Sequence, residues 1–171
     1  KDPGAVETHT INGKKTQVQE KDITLNVAKK LFTSLQAQYP DKKILMTRTD
    51  DRFLSLEERV EIANNVELKE HEAILYISIH VNAAFDKKAS GFEVWYLSPG
   101  YRRTVIDENT VEDKSLATIL NSMMEEEYTT ESILIAKFIM DGLSSQIGSQ
   151  SVSRGIKAEE WFVVRNSKLP S

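Results

Sequence analysis

The strongest constraint on the fold is a short apolar run near the middle of the chain, residues 73–79 (AILYISI). The run lacks the polar alternation of a strand with one wet face, so it predicts a central strand covered on both faces. Such a strand needs helices above and below its sheet. We therefore expect an α/β fold, a single three-layer domain with a twisted, mixed and mainly parallel sheet and helices on both faces. The 171 residues suffice for one such domain and exclude a second of normal size.

The segments around this run alternate between helix and strand patterns. Asp22 is a plausible N-cap for an amphipathic helix that ends near Tyr39 and Pro40. Residues 55–58 (SLEE) form a capping box for a helix that ends near Asn64. Further strands are predicted at 43–47 (KILMT), 91–97 (GFEVWYL) and 161–164 (WFVV), with further helices around 116–123 and 131–147.

Charge is distributed unevenly along the chain. Residues 107–131 hold eight acidic side chains and one lysine, an excess of seven negative charges. Against −4 for the whole chain, this leaves about +3 for the remainder, which indicates an acidic element added to a near-neutral domain. The overall balance argues against a nucleic-acid partner. No apolar run approaches the roughly 20 residues that span a bilayer, and without cysteine the chain has no thiolate zinc site.

Two residues stand where functional groups are found in α/β proteins. His80 follows the predicted central strand, and ligand sites lie outside the carboxyl ends of such strands. A structural histidine that caps the strand end through a backbone hydrogen bond fits that position equally well. Glu20 lies at the mouth of the first helix, where an acidic side chain more often stabilises the helix N-terminus than binds a metal. His9 and His71 lie in polar surroundings that indicate exposed surface residues.

Seven short segments follow one another along the chain, and their order is a more specific signal than any single segment. They are 1–6 (KDPGAV), 20–22 (EKD), 46–50 (MTRTD), 56–64 (LEERVEIAN), 78–83 (SIHVNA), 91–96 (GFEVWY), and the stretch 154–171 with its RG, FVVR and LPS pieces. In this order the chain resembles the zinc-dependent N-acetylmuramoyl-L-alanine amidases of the bacterial cell wall, the Amidase_3 type. The match extends over essentially the whole chain except the acidic block.

The resemblance implies a zinc site. In that family a His, a Glu and a second His hold one Zn²⁺, and a further Glu is the catalytic base. The Glu ligand falls on Glu20 and the second His on His80. The first His would lie before Lys1, in a DPGHGG segment, and the catalytic Glu beyond Ser171, so no catalytic residue is assigned here. We therefore expect the chain to be a portion of a longer protein.

The acidic block also has a counterpart in this family. Amidases that separate daughter cells carry an insertion whose helix blocks the zinc cleft until an activator protein removes it. Residues 102–131 occupy the matching place, and a carboxylate there would take the open zinc position. The candidates are Glu108, Glu125, Glu126 and Glu127, and the sequence does not choose among them.

The implied function is hydrolysis of the amide between N-acetylmuramic acid and L-alanine of the peptidoglycan stem peptide by zinc-activated water. The resemblance also implies a periplasmic or otherwise extracytoplasmic bacterial protein with no membrane span. One alternative is a relative that has lost zinc and binds peptidoglycan or a division partner without cleaving it. A zinc exopeptidase of related fold is a second alternative, which the EKD and SIHVNA segments disfavour.

Overall fold

The computed structural model describes residues 3–82, 89–101, 104–107, 109 and 113–171. Within these ranges the elements follow the order β1 (Val6–Ile11), β2 (Lys14–Gln19), α1 (Glu20–Gln38), α2 (Leu56–Asn64), β3 (Phe92–Leu97), α3 (Lys114–Ile147), β4 (Ser153–Glu159) and α4 (Phe162–Asn166). Helices are thus combined with one antiparallel and one parallel pair of strands. The predicted α/β class is confirmed.

None of the helices in the described ranges is both long and apolar enough to cross a membrane.

The chain divides into two compact units. The first contains the described parts of residues 1–59 and 78–87, and the second those of residues 60–77 and 88–171. Each unit is considered by itself below.

The first unit begins with a hairpin that leads directly into a helix. β1 and β2 pair antiparallel from Val6 opposite Gln19 to Ile11 opposite Lys14. Asn12 and Gly13 both have positive φ, 51° and 77°, as a two-residue hairpin turn of the Asn-Gly type requires. The N-cap of α1 is Gln19, so the prediction of Asp22 was wrong. The hairpin ladder holds the chain extended up to Gln19, and the helix therefore starts at Glu20.

The predicted ends of the first two helices agree with the structure. The C-cap of α1 is Tyr39, next to the predicted end. The capping box is present, since Ser55 N donates to Glu58 Oε2 at 2.6 Å and Glu58 N donates to Ser55 Oγ at 3.2 Å. α2 ends at Asn64, as predicted.

The second unit contains a β3–α3–β4 crossover. β3 and β4 pair in parallel, with Trp95 opposite Lys157 and Leu97 opposite Glu159. α3 contacts both strands, and most of the residues it buries are small: Ala117, Ser132 and Ala136 together with Glu125 and Met140. Leu97 anchors a core cluster with Val60, Val163 and Val164, on which Tyr76, Tyr101 and Phe162 pack.

α3 replaces the two helices that were predicted around residues 116–123 and 131–147. It is one helix of 34 residues, and the side chain of its N-cap Asp113 accepts a hydrogen bond from Ser115 N. The joining stretch, 124–130 (MEEEYTT), contains neither glycine nor proline. Nothing in it interrupts a helix, so the two amphipathic patterns fuse.

Three of the predicted strands, 43–47, 73–79 and 161–164, are not strands in the structure. The structure assigns no strand to residues 43–47 or 73–79, and Leu75 and Ile77 are 42% and 43% exposed, so the apolar run is not covered on both faces. Tyr76 N donates to Pro170 O at 3.0 Å, a single bond rather than a ladder. The WFVV segment forms the N-terminal flank and first turns of α4, which bury Val163 and Val164. The polar segment before it, Ser153–Glu159, supplies the last strand.

An ion cluster with a nearly buried carboxylate and two partly exposed cations links β3 to β4. The side chain of Glu93 is 9% exposed, and its Oε2 lies 2.5 Å from Lys157 Nζ and 3.1 Å from Arg154 Nε. The hydrogen bond from Lys157 holds the pKa of Glu93 below its ordinary value, against the opposing effect of burial. Because the carboxyl binds its proton less readily in the folded protein, the stability it contributes is present above the unfolded pKa, about 4.3.

We predict that Glu93→Gln lowers the free energy of unfolding at neutral pH, and that this difference shrinks as the pH falls through 4.3 and the lower folded pKa. Urea denaturation between pH 3 and 7 measures the difference. Lys157→Gln is the companion variant, because it removes the main cause of the pKa shift and should flatten the same pH dependence. A difference that stays constant across this range would contradict the assignment.

Candidate metal-binding site

The hairpin positions Glu20. Because Val6 pairs with Gln19, the next residues outward, Ala5 and Glu20, lie opposite each other. Glu20 N donates to Ala5 O at 2.8 Å, and Ala5 N donates to Glu20 Oε2 at 2.9 Å. The hairpin register therefore determines where this carboxylate lies.

The other carboxylate oxygen of Glu20 meets residues 80 and 81. Val81 N donates to Oε1 at 3.0 Å, and His80 Nδ1 lies 3.2 Å from the same oxygen. Glu20 is an acidic residue of the first turn of α1, as its position favoured, but both of its carboxylate oxygens also accept hydrogen bonds from outside the helix. His80 is not limited to a backbone contact either, because its ring meets the carboxylate.

The site keeps its carboxylate charged and its imidazole accessible. Burial raises the pKa of Glu20, but the hydrogen bonds from Ala5 and Val81, together with His80, outweigh it and lower the pKa below its ordinary value. Glu20 is consequently ionised at neutral pH. Its side chain is 16% exposed, whereas that of His80 is 46% exposed, so the pair has one anchored and one solvent-facing member.

Gly4 allows the backbone to approach Glu20 closely. Its φ is +67°, in the left-handed region, and a Cβ added there would lie 2.5 Å from Glu20 Oε2. Any side chain would be strained by the backbone and would also collide with the carboxylate. This explains why a glycine precedes Ala5 in the first segment of the chain.

Arg48 forms hydrogen bonds to the first turn of α1. Its Nη2 donates to Lys21 O at 2.6 Å and lies 3.3 Å from Thr24 Oγ1. Lys21 Nζ in turn lies 2.7 Å from Asp51 Oδ2. The MTRTD segment therefore supports the residue next to Glu20.

Glu20 and His80 fit as two ligands of a zinc ion. Zinc binds carboxylate oxygen and imidazole nitrogen at about 2.0–2.1 Å, so neighbouring atoms of a tetrahedron are about 3.3 Å apart. The separation of 3.2 Å between His80 Nδ1 and Glu20 Oε1 agrees with this value. In the part of the chain that is described, no group of three or more His, Cys, Asp or Glu could hold a metal. The described residues could therefore supply at most two ligands here, and not a complete site.

The remaining histidines stay apart from this pair. His9 Nε2 lies 3.7 Å from Glu7 and His71 Nε2 lies 3.6 Å from Glu70, and all four side chains are exposed. Both agree with the predicted surface positions.

The regulatory candidates differ in their surroundings. Glu125 is buried on α3 and accepts a hydrogen bond from Thr129 Oγ1 at 3.3 Å. Glu126 and Glu127 are exposed and line an open groove with Met123, Thr130 and Glu131. Glu108 lies outside the described residues.

The hairpin that positions Glu20 was not predicted from the sequence. Its signal was present, since Asn12-Gly13 separates two six-residue runs and Asn-Gly is the strongest short-range hairpin signal. The polar character of β2 concealed it, because its side chains are mostly exposed.

A carboxylate beside an imidazole supplies two of the donor types found in catalytic zinc sites. The whole chain, residues 1–171, matches the family model Amidase_3, N-acetylmuramoyl-L-alanine amidase. The chain belongs to this family.

Individual relatives agree with the family model. The sporulation-specific N-acetylmuramoyl-L-alanine amidase of Bacillus subtilis is 32% identical over 118 residues, 69% of this chain and 40% of the relative. The N-acetylmuramoyl-L-alanine amidase AmiA of Salmonella typhimurium is 36% identical over 95 residues, 56% of this chain and 30% of the relative. The chain thus spans less than half the length of these curated relatives.

One solved structure resembles the fold over nearly the whole chain. It is the catalytic domain of CwlV, an N-acetylmuramoyl-L-alanine amidase from Bacillus (Paenibacillus) polymyxa var. colistinus. The TM-score is 0.56 with 25% sequence identity, covering 99% of this chain and 69% of the other. The likeness to one catalytic domain confirms the predicted α/β domain fold.

We predict that Gly4→Ala is more destabilising than Gly13→Ala. Both glycines have positive φ, but a Cβ at Gly13 meets nothing within 4 Å. Gly13→Ala therefore carries the backbone strain alone, about 1–2 kcal/mol, and Gly4→Ala adds displacement of Glu20. Urea denaturation of the two variants measures the difference. Equal losses of stability would show that the Glu20 carboxylate does not need the space above Gly4.

Proposed function

We propose that this protein is a zinc-dependent N-acetylmuramoyl-L-alanine amidase that cleaves the amide between N-acetylmuramic acid and L-alanine of the peptidoglycan stem peptide. The observation that carries the proposal is the 3.2 Å approach of His80 to Glu20, in a chain matched along its whole length by the amidase family. The reaction places the protein outside the bacterial cytoplasm, in the periplasm or an equivalent compartment, where peptidoglycan lies.

Glu20 and His80 hold the metal in this proposal. Bound Zn²⁺ supplies a Lewis acid for the scissile carbonyl and lowers the pKa of a bound water towards about 7. No residue of this chain is proposed as the catalytic base.

The chain prepares its two ligands before any metal binds. The amide groups of Ala5 and Val81 keep Glu20 ionised and fix the direction of both carboxylate oxygens. Ligands held in this way bind a metal more tightly than mobile ones, because less ordering is needed on binding. His80 is the more exposed of the two side chains.

We further propose that the insertion at 102–131 inhibits the enzyme, as in division-type amidases, until an activator protein displaces it. Two features support this regulation, the acidity of residues 107–131 and the exposure of Leu116, Ile119 and Met123 on α3. These three apolar side chains require a surface to pack against. The acidic residues of the same segment are attracted to a cation such as Zn²⁺. Of the carboxylate candidates, Glu126 and Glu127 are favoured over Glu125, whose side chain is buried and bonded to Thr129.

We predict that the full-length protein binds one zinc ion per domain and that His80→Ala weakens zinc binding by more than about 100-fold, the upper range for changes beyond the ligands themselves. Zinc content after dialysis measures this, together with release of stem peptides from purified sacculi. His9→Ala is the matched control, since His9 is an exposed histidine of the same unit. Normal zinc content in the His80→Ala variant would refute the ligand assignment.

Removing the inhibitory carboxylates should raise the activity without a partner. We predict that Glu126→Gln with Glu127→Gln in the full-length enzyme increases the cleavage rate of sacculi, and that deleting residues 103–129 increases it further. The double substitution leaves the buried face of α3 intact, so it tests inhibition even where the deletion destabilises the second unit. Folded, zinc-loaded variants that cleave no faster than the parent would contradict autoinhibition.

A further inference from the structure

Aromatic side chains gather where β3 and β4 end. The two strands are parallel, so their carboxyl ends share one edge of the pair, and Ser98 N extends the ladder there by donating to Glu159 O at 3.3 Å. We call this the carboxyl-end edge and define it by Tyr101, Trp161 and Phe162. In α/β proteins, ligands bind outside the carboxyl ends of parallel strands.

Trp161 is the exposed member of this edge. Tyr101 and Phe162 pack on the core cluster, and the guanidinium of Arg165 lies 5.9 Å from each ring. Trp161, in contrast, is 53% exposed at the N-cap of α4. An indole of this size in water at the end of a parallel strand pair is not explained by packing.

The Trp161 ring is nevertheless held in place. It meets Trp95 edge-on, with ring centroids 5.7 Å apart and an interplanar angle of 82°, the arrangement that the charge distribution of aromatic rings favours. Trp95 is itself fixed by Lys157, whose Nζ lies 4.9 Å from the ring centroid and is bound by Glu93. An aromatic surface ordered before binding costs little entropy when a ligand covers it.

The polar groups beside Trp161 select the kind of ligand. Glu159 and Glu160 directly precede it and are exposed, so these two side chains disfavour a carboxylate next to the indole. The cation of the same edge, Arg165, lies over the Tyr101 and Phe162 rings instead. Carboxylate oxygens accept hydrogen bonds from hydroxyl and N–H groups, and a flat indole covers the apolar C–H face of a pyranose ring. The N-acetylglucosamine units of a glycan strand satisfy both groups, because they are uncharged and the lactyl group lies on the alternate N-acetylmuramic acid units.

We propose that Trp161 is a stacking platform for the glycan strand of peptidoglycan, with Glu159 and Glu160 bonding sugar hydroxyl or acetamido groups. This inference rests on the proposed function for the identity of the polymer. It adds a glycan-binding site on the second unit. This site contains none of the proposed zinc ligands and takes no part in amide cleavage itself.

Glycan strands stripped of their stem peptides separate this site from catalysis, because they contain no amide for the enzyme to cleave at the lactyl group. We expect the full-length protein to bind such strands, and Trp161→Leu to weaken binding about 5- to 10-fold, the scale of one aromatic contact. Trp161→Phe should retain most of the affinity, since it keeps a flat ring where leucine keeps only apolar volume. Phe138→Ala is the control, as Phe138 is 66% exposed in the same unit.

The outcomes are distinguishable from those of the proposed function. Strand binding that depends on Trp161 in a protein that does not cleave sacculi would leave the platform standing and overturn the amidase proposal. Sacculus cleavage by a protein that does not bind stripped strands, or that binds them equally well as the Trp161→Leu variant, would overturn the platform alone. Equal loss in the Phe138→Ala variant would also overturn it, because the effect would then not be specific to this edge.

Discussion

The first unit depends on one partly buried carboxylate that accepts hydrogen bonds from two distant backbone amides. Glu20 joins Ala5, which precedes the hairpin, to Val81, which lies 61 residues further along the chain than Glu20. Removing a carboxylate from water is costly unless its oxygens are satisfied, and the two N–H groups meet that need without supplying a positive charge. His80 follows as a consequence, because the peptide that donates to Glu20 carries the imidazole on its preceding residue. The same contacts that stabilise the unit therefore assemble the two proposed ligands.

Features set by neighbouring residues could be predicted from the sequence. The capping box at Ser55 and Glu58 needs only a spacing of three residues, and β3 alternates little but is rich in aromatic and branched side chains. β4 was missed because Ser153–Glu159 is polar and contains a glycine, and its strand character arises from pairing with β3 rather than from its own pattern. The WFVV segment was wrongly predicted as a strand, because apolar side chains can be buried by a short helix as well as by a strand.

The candidate site shows the same division between local and distant information. Position alone left His80 with two roles and favoured a capping role for Glu20, because helix N-termini attract acidic side chains. Their separation of 60 residues gives no local signal that they meet. Only the order of the seven segments connected them, and the 3.2 Å contact agrees with that connection. The neighbouring sequence does not explain the glycine at position 4, because the space it leaves is occupied by the carboxylate of Glu20, sixteen residues away.

α3 carries two apolar faces with different chemistry. The face that contacts β3 and β4 is built from small residues such as Ala117 and Ala136, which allow close and permanent packing. The exposed face has larger side chains, including Met123 and Phe138, but Glu126 and Glu127 interrupt it. Covering that face also desolvates carboxylates, which costs free energy unless a cation compensates. Whether this exposed face is covered therefore depends on a compensating cation. A partner that binds only the uncovered state can shift the equilibrium between the covered and the uncovered states. The proposed inhibitory role of the insertion requires a balance of this kind.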